Sequence, residues 1–172
     1  MIYTPAFDTF NTIYRMLHIL SRFDTEPYVE VERMRIFDYY LLFPYRAHKI
    51  RLKPEEVEFR TSLKQFVTSK ANPYHTITND RRLFERLRPY QMVALSHIAS
   101  YGLISPEYLL NQQVKVADAD KLHDVISRLE KMDGVEGNVL SWLSICFRTT
   151  PINGVFGLKY RTNLLESKYD GC

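Results

Sequence analysis

Between Arg33 and Pro44 the chain reads Arg-Met-Arg-Ile-Phe-Asp-Tyr-Tyr-Leu-Leu-Phe-Pro, and no other segment limits its fold as strongly. Wound as a helix, its apolar residues wrap most of the circumference. Such a helix must be covered on every side. The segment is therefore either the central core helix of a small domain or a core helix that also meets a partner. Asp38 stands in its midst, and a carboxylate in apolar surroundings calls for a cation beside it. Pro44 ends the helix, because the residue before a proline disfavours helical geometry.

The remaining pattern is also helical. Thr4-Pro5 starts a first amphipathic helix, with Phe10, Ile13, Tyr14, Leu17 and Leu20 at helical spacing to about Arg22. Asp24 to Pro27 is a break, and the second helix runs from Val29 to Leu42. Arg46 to Lys53 reads as a short strand or an extended linker. Pro54-Glu55-Glu56 opens a third helix with the buried stripe Phe59, Leu63, Phe66 and Val67, and Asn72-Pro73 breaks it. A further helix begins near Leu83, and Pro89 either kinks it or opens a new one that Gly102 caps. Ser105-Pro106-Glu107 starts a short helix, Val114-Lys115-Val116 is a candidate strand, and Asp118 or Asp120 caps a helix that Gly134 closes. Val139 to Phe147 is a helix or a strand, Gly154 and Gly157 mark a turn, and Leu158 to Tyr169 forms the last element.

The expected fold is thus mostly α: a compact multi-helix domain over residues 1–172 with a short β element. Within it, 1–72 forms a helical N-terminal part and 78–172 a winged-helix-like part, its wing drawn from the final glycine-containing segment. The 172 residues suffice for a core without staples, and 45% hydrophobic with 25% charged residues describes a globular chain. With 12 Tyr and 10 Phe, the chain holds many side chains suited either to a core or to a protein interface.

The search for chemistry is mostly negative. His18, His48, His75, His97 and His123 include no pair four apart, so no helix presents a two-histidine metal face. Gly154 to Lys159 lacks the glycine spacing and the Gly-Lys-Ser/Thr ending of a phosphate loop. Glu166-Ser167-Lys168 has the spacing of half a metal-dependent nuclease motif, without the preceding acid that holds magnesium. Asp118, Asp120 and Asp124 fit helix capping, and Cys146 lies in an apolar run as a core thiol. Two cysteines without a framework suggest a reducing compartment, and Cys172 lacks the prenylation spacing. The longest apolar run, Tyr39 to Phe43, falls far short of the ~20 residues of a membrane span, and a cytoplasmic location without cofactor or metal is expected.

Net charge is +3 and the pI near 8.8, which permits contact with nucleic acid without requiring it. Arg46, Lys49, Arg51 and Lys53 form a basic connector able to touch phosphates without reading sequence; a solvated connector is the plainer alternative.

The pattern Arg33-x-x-x-Phe37-Asp38-Tyr39-Tyr40-Leu41-Leu42-Phe43-Pro44, with Arg88-Pro89-Tyr90-Gln91 and the tail Gly157-Leu158, Arg161-Thr162, Leu165-Glu166 and Tyr169-Asp170, resembles the middle component of bacterial three-component ABC ATPase systems. These are the Lamassu-type anti-phage and anti-plasmid defence systems. The resemblance spans most of the chain and implies a non-enzymatic accessory subunit. Its implied partners are an SMC-like ABC ATPase and an effector, often a nuclease, with a candidate non-specific DNA contact through the complex. The partner-binding residues would be Arg33, Phe37, Asp38, Tyr39, Tyr40, Leu41, Arg161, Glu166, Tyr169 and Asp170, and no catalytic residues transfer. The competing classes are a stand-alone winged-helix DNA-binding regulator and a small metal-dependent nuclease. The mixed charges of Asp120–Met132 count against a recognition helix, and the nuclease would rest on Glu166 and Lys168 alone.

Overall fold

The computed structural model describes residues 5–68 and 79–165. Among them the chain is mostly helical, with one two-stranded antiparallel sheet. The elements run α1 (Thr9–Leu20), β1 (Val29–Glu30), α2 (Val31–Leu42), α3 (Val57–Phe66), α4 (Asp80–Ser100), α5 (Pro106–Leu110), β2 (Gln113–Val114), α6 (Ala119–Arg128), α7 (Gly134–Phe147) and α8 (Leu158–Thr162). They divide into two compact units. One comprises Met1–Asp38 and Arg86–Met132, the other Tyr39–Glu85 and Asp133–Cys172.

In the first unit Asp8 caps α1, its carboxylate accepting the Asn11 amide at 2.9 Å. Residues Val29 and Glu30, expected to be helical, instead pair with Val114 and Gln113. The same extended stretch continues to Val116, which bridges Ile104. The partner of the predicted strand therefore comes from the N-terminal region. Among the described residues the glycine-containing segment after Gly134 holds no strand to act as a wing. Gly102 closes α4 at φ +77°, and Asp118 caps α6 by accepting the Lys121 amide. Pro89 lies inside a continuous α4. Gly134 does not close α6, which ends at Arg128; it opens α7.

The core of this unit is organised around a fully buried carboxylate. Asp38 accepts Arg15 Nε at 2.5 Å and Gln91 Nε2 at 2.9 Å. Arg15 Nη2 also donates to Thr12 Oγ1 at 3.2 Å. Arg35 Nε donates to Gln91 Oε1 at 2.8 Å, and Gln91 Nε2 reaches back to the Arg35 carbonyl at 3.3 Å. One network thus joins α1, α2 and α4, with all its side chains out of water.

In the second unit Pro44–Lys49 is a 3-10 helix, where a strand or linker was expected. Pro44 presets φ for this turn, and the Arg46 amide reaches the Phe43 carbonyl at 2.9 Å, so the chain turns tightly where an extended run was read. Helices α3 and α7 pack through aromatic residues. Trp142 Nε1 donates to the Phe59 carbonyl at 2.9 Å, and the Phe147 ring stands edge-on to both Trp142 and Phe59. Leu63 and Val67 are buried as expected, whereas Phe66 is exposed. The last element is shorter than expected: Asn163, at φ +56°, stops α8. Asn72-Pro73 and the residues beyond Leu165 that were read as part of this element lie outside the described residues.

Removing one member of a buried ion pair leaves the other charged and unsatisfied. Asp38→Ala should therefore lower stability by about 3–5 kcal/mol, read as a shift in the midpoint of urea unfolding. An unchanged midpoint would show that the network does not hold the unit together.

Candidate functional site

The second unit contains a recess of about 370 Å³ lined by Tyr39, Tyr40, Arg46, Lys49, Arg51, Asn79, Asp80, Arg81, Arg161, Thr162, Asn163 and Leu164. Six of these residues were candidates on sequence grounds alone. The fold brings Tyr39 and Tyr40 together with the connector residues Arg46, Lys49 and Arg51, and with Arg161 of α8.

The recess is built from the turn that follows Pro44. As that turn is 3-10 helical, Arg46 and Lys49, three residues apart, lie on one side of it. Both approach Asp80 at the start of α4: Arg46 Nη1 lies 3.3 Å and Lys49 Nζ 3.9 Å from Asp80 Oδ2. The Tyr39 hydroxyl donates to Asp80 Oδ1. Burial, then the neighbouring Asp80 charge, pushes the Tyr39 hydroxyl above its usual pKa, so it remains a donor. Tyr40 is raised in the same way by burial.

The opposite wall hangs on α8. Arg161 is buried and fully engaged. Its Nη1 and Nη2 meet Glu56 at 2.8 and 3.0 Å, and its Nε donates to the Phe156 carbonyl at 2.6 Å. Its Nη1 also reaches the Arg51 carbonyl at 3.2 Å, while the Arg51 amide donates to the Arg161 carbonyl at 2.9 Å. This reciprocal tie fixes the Arg51 backbone. The Arg51 side chain then lies over the Tyr160 ring at 4.6 Å and donates to the Tyr160 carbonyl at 3.2 Å. Arg81 Nε donates to the Asn163 carbonyl at 2.9 Å, and its Nη2 to Asn163 Oδ1. The residue that caps α8, Gly157, has no room for a side chain: a Cβ there would lie 2.3 Å from the Asn153 carbonyl oxygen.

Among the described residues, five cations thus line a polar recess against one carboxylate, Asp80. Lys53 lies outside this lining, with its ammonium 5.4 Å from the centre of the Phe156 ring. Arg33, Phe37, Asp38, Tyr39, Tyr40, Leu41 and Arg161, read as partner contacts, are all buried. Glu166, Tyr169 and Asp170 lie outside the described residues. Sequence reasoning missed Asn79, Asp80, Arg81 and Asn163. A signal existed in Asn79-Asp80-Arg81, a capping residue before an acid: Asn79 Oδ1 accepts the Arg82 amide at 3.0 Å and starts α4 three residues earlier than expected.

Among the described residues, no group of three or more His, Cys, Asp or Glu is placed to hold a metal ion. His48 Nε2 lies 2.9 Å from the Val67 carbonyl, and His123 Nε2 lies 2.6 Å from Asp24. Burial pushes the Cys146 thiol up to about 12, which keeps it protonated. Among the described residues no helix is long and apolar enough to cross a membrane.

Residues 1–170 match the family model described as ABC-three component (ABC-3C) system Middle Component 5. The chain belongs to this family, and it is therefore an accessory component of an ABC-3C system. No curated protein and no solved structure matches it.

The hydrogen bonds from Arg161 hold the Glu56 carboxyl below the usual carboxylate range. A depressed folded pKa contributes stability above the unfolded value, about 4.3 for Glu, and that contribution is lost as the pH falls through the folded value. Glu56→Gln should accordingly be less stable than wild type at neutral pH, and the gap should close on acidification. Urea midpoints measured across a pH series check this; a gap that stays constant would assign the loss to packing instead of ionisation.

Proposed function

We propose that this chain is the non-catalytic subunit of a Lamassu-type anti-phage and anti-plasmid complex, bridging an SMC-like ABC ATPase and an effector nuclease and helping to regulate the effector. The match of residues 1–170 to the middle-component family carries this reading.

Most side chains of α2 are buried, and so is Arg161, so Tyr169 and Asp170 are the better candidates for partner contacts. Helix α2 acts as the support that keeps the subunit folded. A charge placed on such a helix has no water to solvate it.

Co-expression with the ATPase and effector of the same system, followed by capture on a tagged ATPase, tests the reading. The chain should be retained, and the effector should be retained only when the chain is present. Tyr169→Ala with Asp170→Ala should abolish capture while the free chain still unfolds cooperatively. Tyr40→Arg should instead unfold the free chain. Two other results would overturn the proposal. Sequence-selective DNA binding by the isolated chain that survives high salt would establish the winged-helix regulator. Metal-dependent DNA cleavage lost on Glu166→Ala would establish the nuclease.

A further inference from the structure

We propose that the recess between the Pro44–Lys49 turn and α8 binds a compact phosphate anion: a phosphate ester or oligophosphate, free or at the end of a nucleic-acid strand. This assignment stands independently of the accessory-subunit reading.

The argument begins with which cations are already committed. Arg161 spends its donors on Glu56, Phe156 and Arg51, and Arg46 meets Asp80. These two are the frame. Lys49, Arg51 and Arg81 differ. The Lys49 side chain is 65% exposed and touches Asp80 only at 3.9 Å. Arg51 donates through one Nη and stacks on Tyr160. Arg81 donates through Nε and one Nη, both to Asn163. Each of the three lines the recess and carries N–H groups beyond those used in these contacts.

Among the described residues, Asp80 is the one lining group that opposes an anion. Its carboxylate is already covered by the Tyr39 hydroxyl, Arg46 and Lys49. With Arg46 set against Asp80 and Arg161 against Glu56, the charges of Lys49, Arg51 and Arg81 share one concave space in excess of the carboxylates that line or brace it. A phosphate ester answers that arrangement better than a carboxylate, because it carries up to about two charges on three acceptor oxygens. Arginine forks pair with it bidentately, and Lys49 supplies a mobile point charge. The shape selects further. At about 370 Å³ the recess is at the small end of ligand sites, roughly 300–1,000 Å³. A duplex offers its phosphates along a convex backbone, whereas a concave recess of this size suits something small.

Calorimetric titration of the full chain with inorganic tripolyphosphate tests the site. A single binding event should appear, with a matching rise in thermal unfolding temperature. Lys49→Gln with Arg51→Gln should weaken it about tenfold or more, the loss expected for charge-assisted bonds. The same effect is expected of Arg81→Gln, a second route should the double variant fold poorly. Arg128→Gln, an exposed cation on α6, should leave binding unchanged. Two single-stranded oligonucleotides of one sequence, one bearing a 5′-phosphate and one a 5′-hydroxyl, separate the sources. Preference for the phosphorylated strand assigns the site to a strand end; tripolyphosphate binding without that preference assigns it to a free oligophosphate. The proposal is overturned by no binding of tripolyphosphate, by binding that the recess variants do not weaken, or by a poly-glutamate peptide that binds as tightly and competes.

Discussion

The Arg15–Asp38 pair is the interaction on which the first unit depends. A carboxylate with no exposure to water is tolerated only where cations and amides replace its hydration. Arg15 and Gln91 do so from α1 and α4, and each is itself oriented by a second bond, to Thr12 and to Arg35. These directional requirements fix how the three helices approach. Apolar contacts alone would allow many near-equivalent packings. The net stabilising energy of such a network is often small, since desolvation opposes attraction; what it confers is a single arrangement.

A different economy governs the second unit. There the Glu56–Arg161 pair is a brace at the edge of a recess, and its bonds serve to hold Arg51 in place through the backbone. Asp80 performs the same service on the other wall. The two carboxylates pair with Arg46 and Arg161, and Lys49, Arg51 and Arg81 line the same recess. Electrostatic order in this unit thus runs from committed charge inside to available charge outside.

How much of this was legible in the sequence depended on whether the signal was local. Helix α2 was legible because apolar residues all round a helix admit few explanations. The caps at Asp118 and Gly102 were legible because their chemistry acts within a few residues. The demand of Asp38 for a cation could be foreseen, but its partners, Arg15 and Gln91, are set by packing between distant segments. Phe66 kept its place on an apolar stripe and still ended at the surface, because periodicity gives the face of a helix without saying where coverage stops. The pairing of Val29 with Val114 was hidden because two-residue strands leave no alternation to read. The recess was half visible: its basic connector could be seen, whereas Asp80, Arg81 and Asn163 join it only through folding.

Each unit is assembled from two stretches of chain separated by part of the other. During synthesis, which proceeds from the N-terminus, Val29 and Glu30 emerge long before the strand that pairs with them, and Asp38 emerges before Gln91. The N-terminal helices must therefore wait at the ribosome with apolar faces and a carboxylate uncovered. Long-range pairing of this kind slows folding relative to a bundle built in chain order. Nascent chains halted before Gln113 should consequently depend on chaperone capture, and the vulnerable period in this protein's life is its own translation.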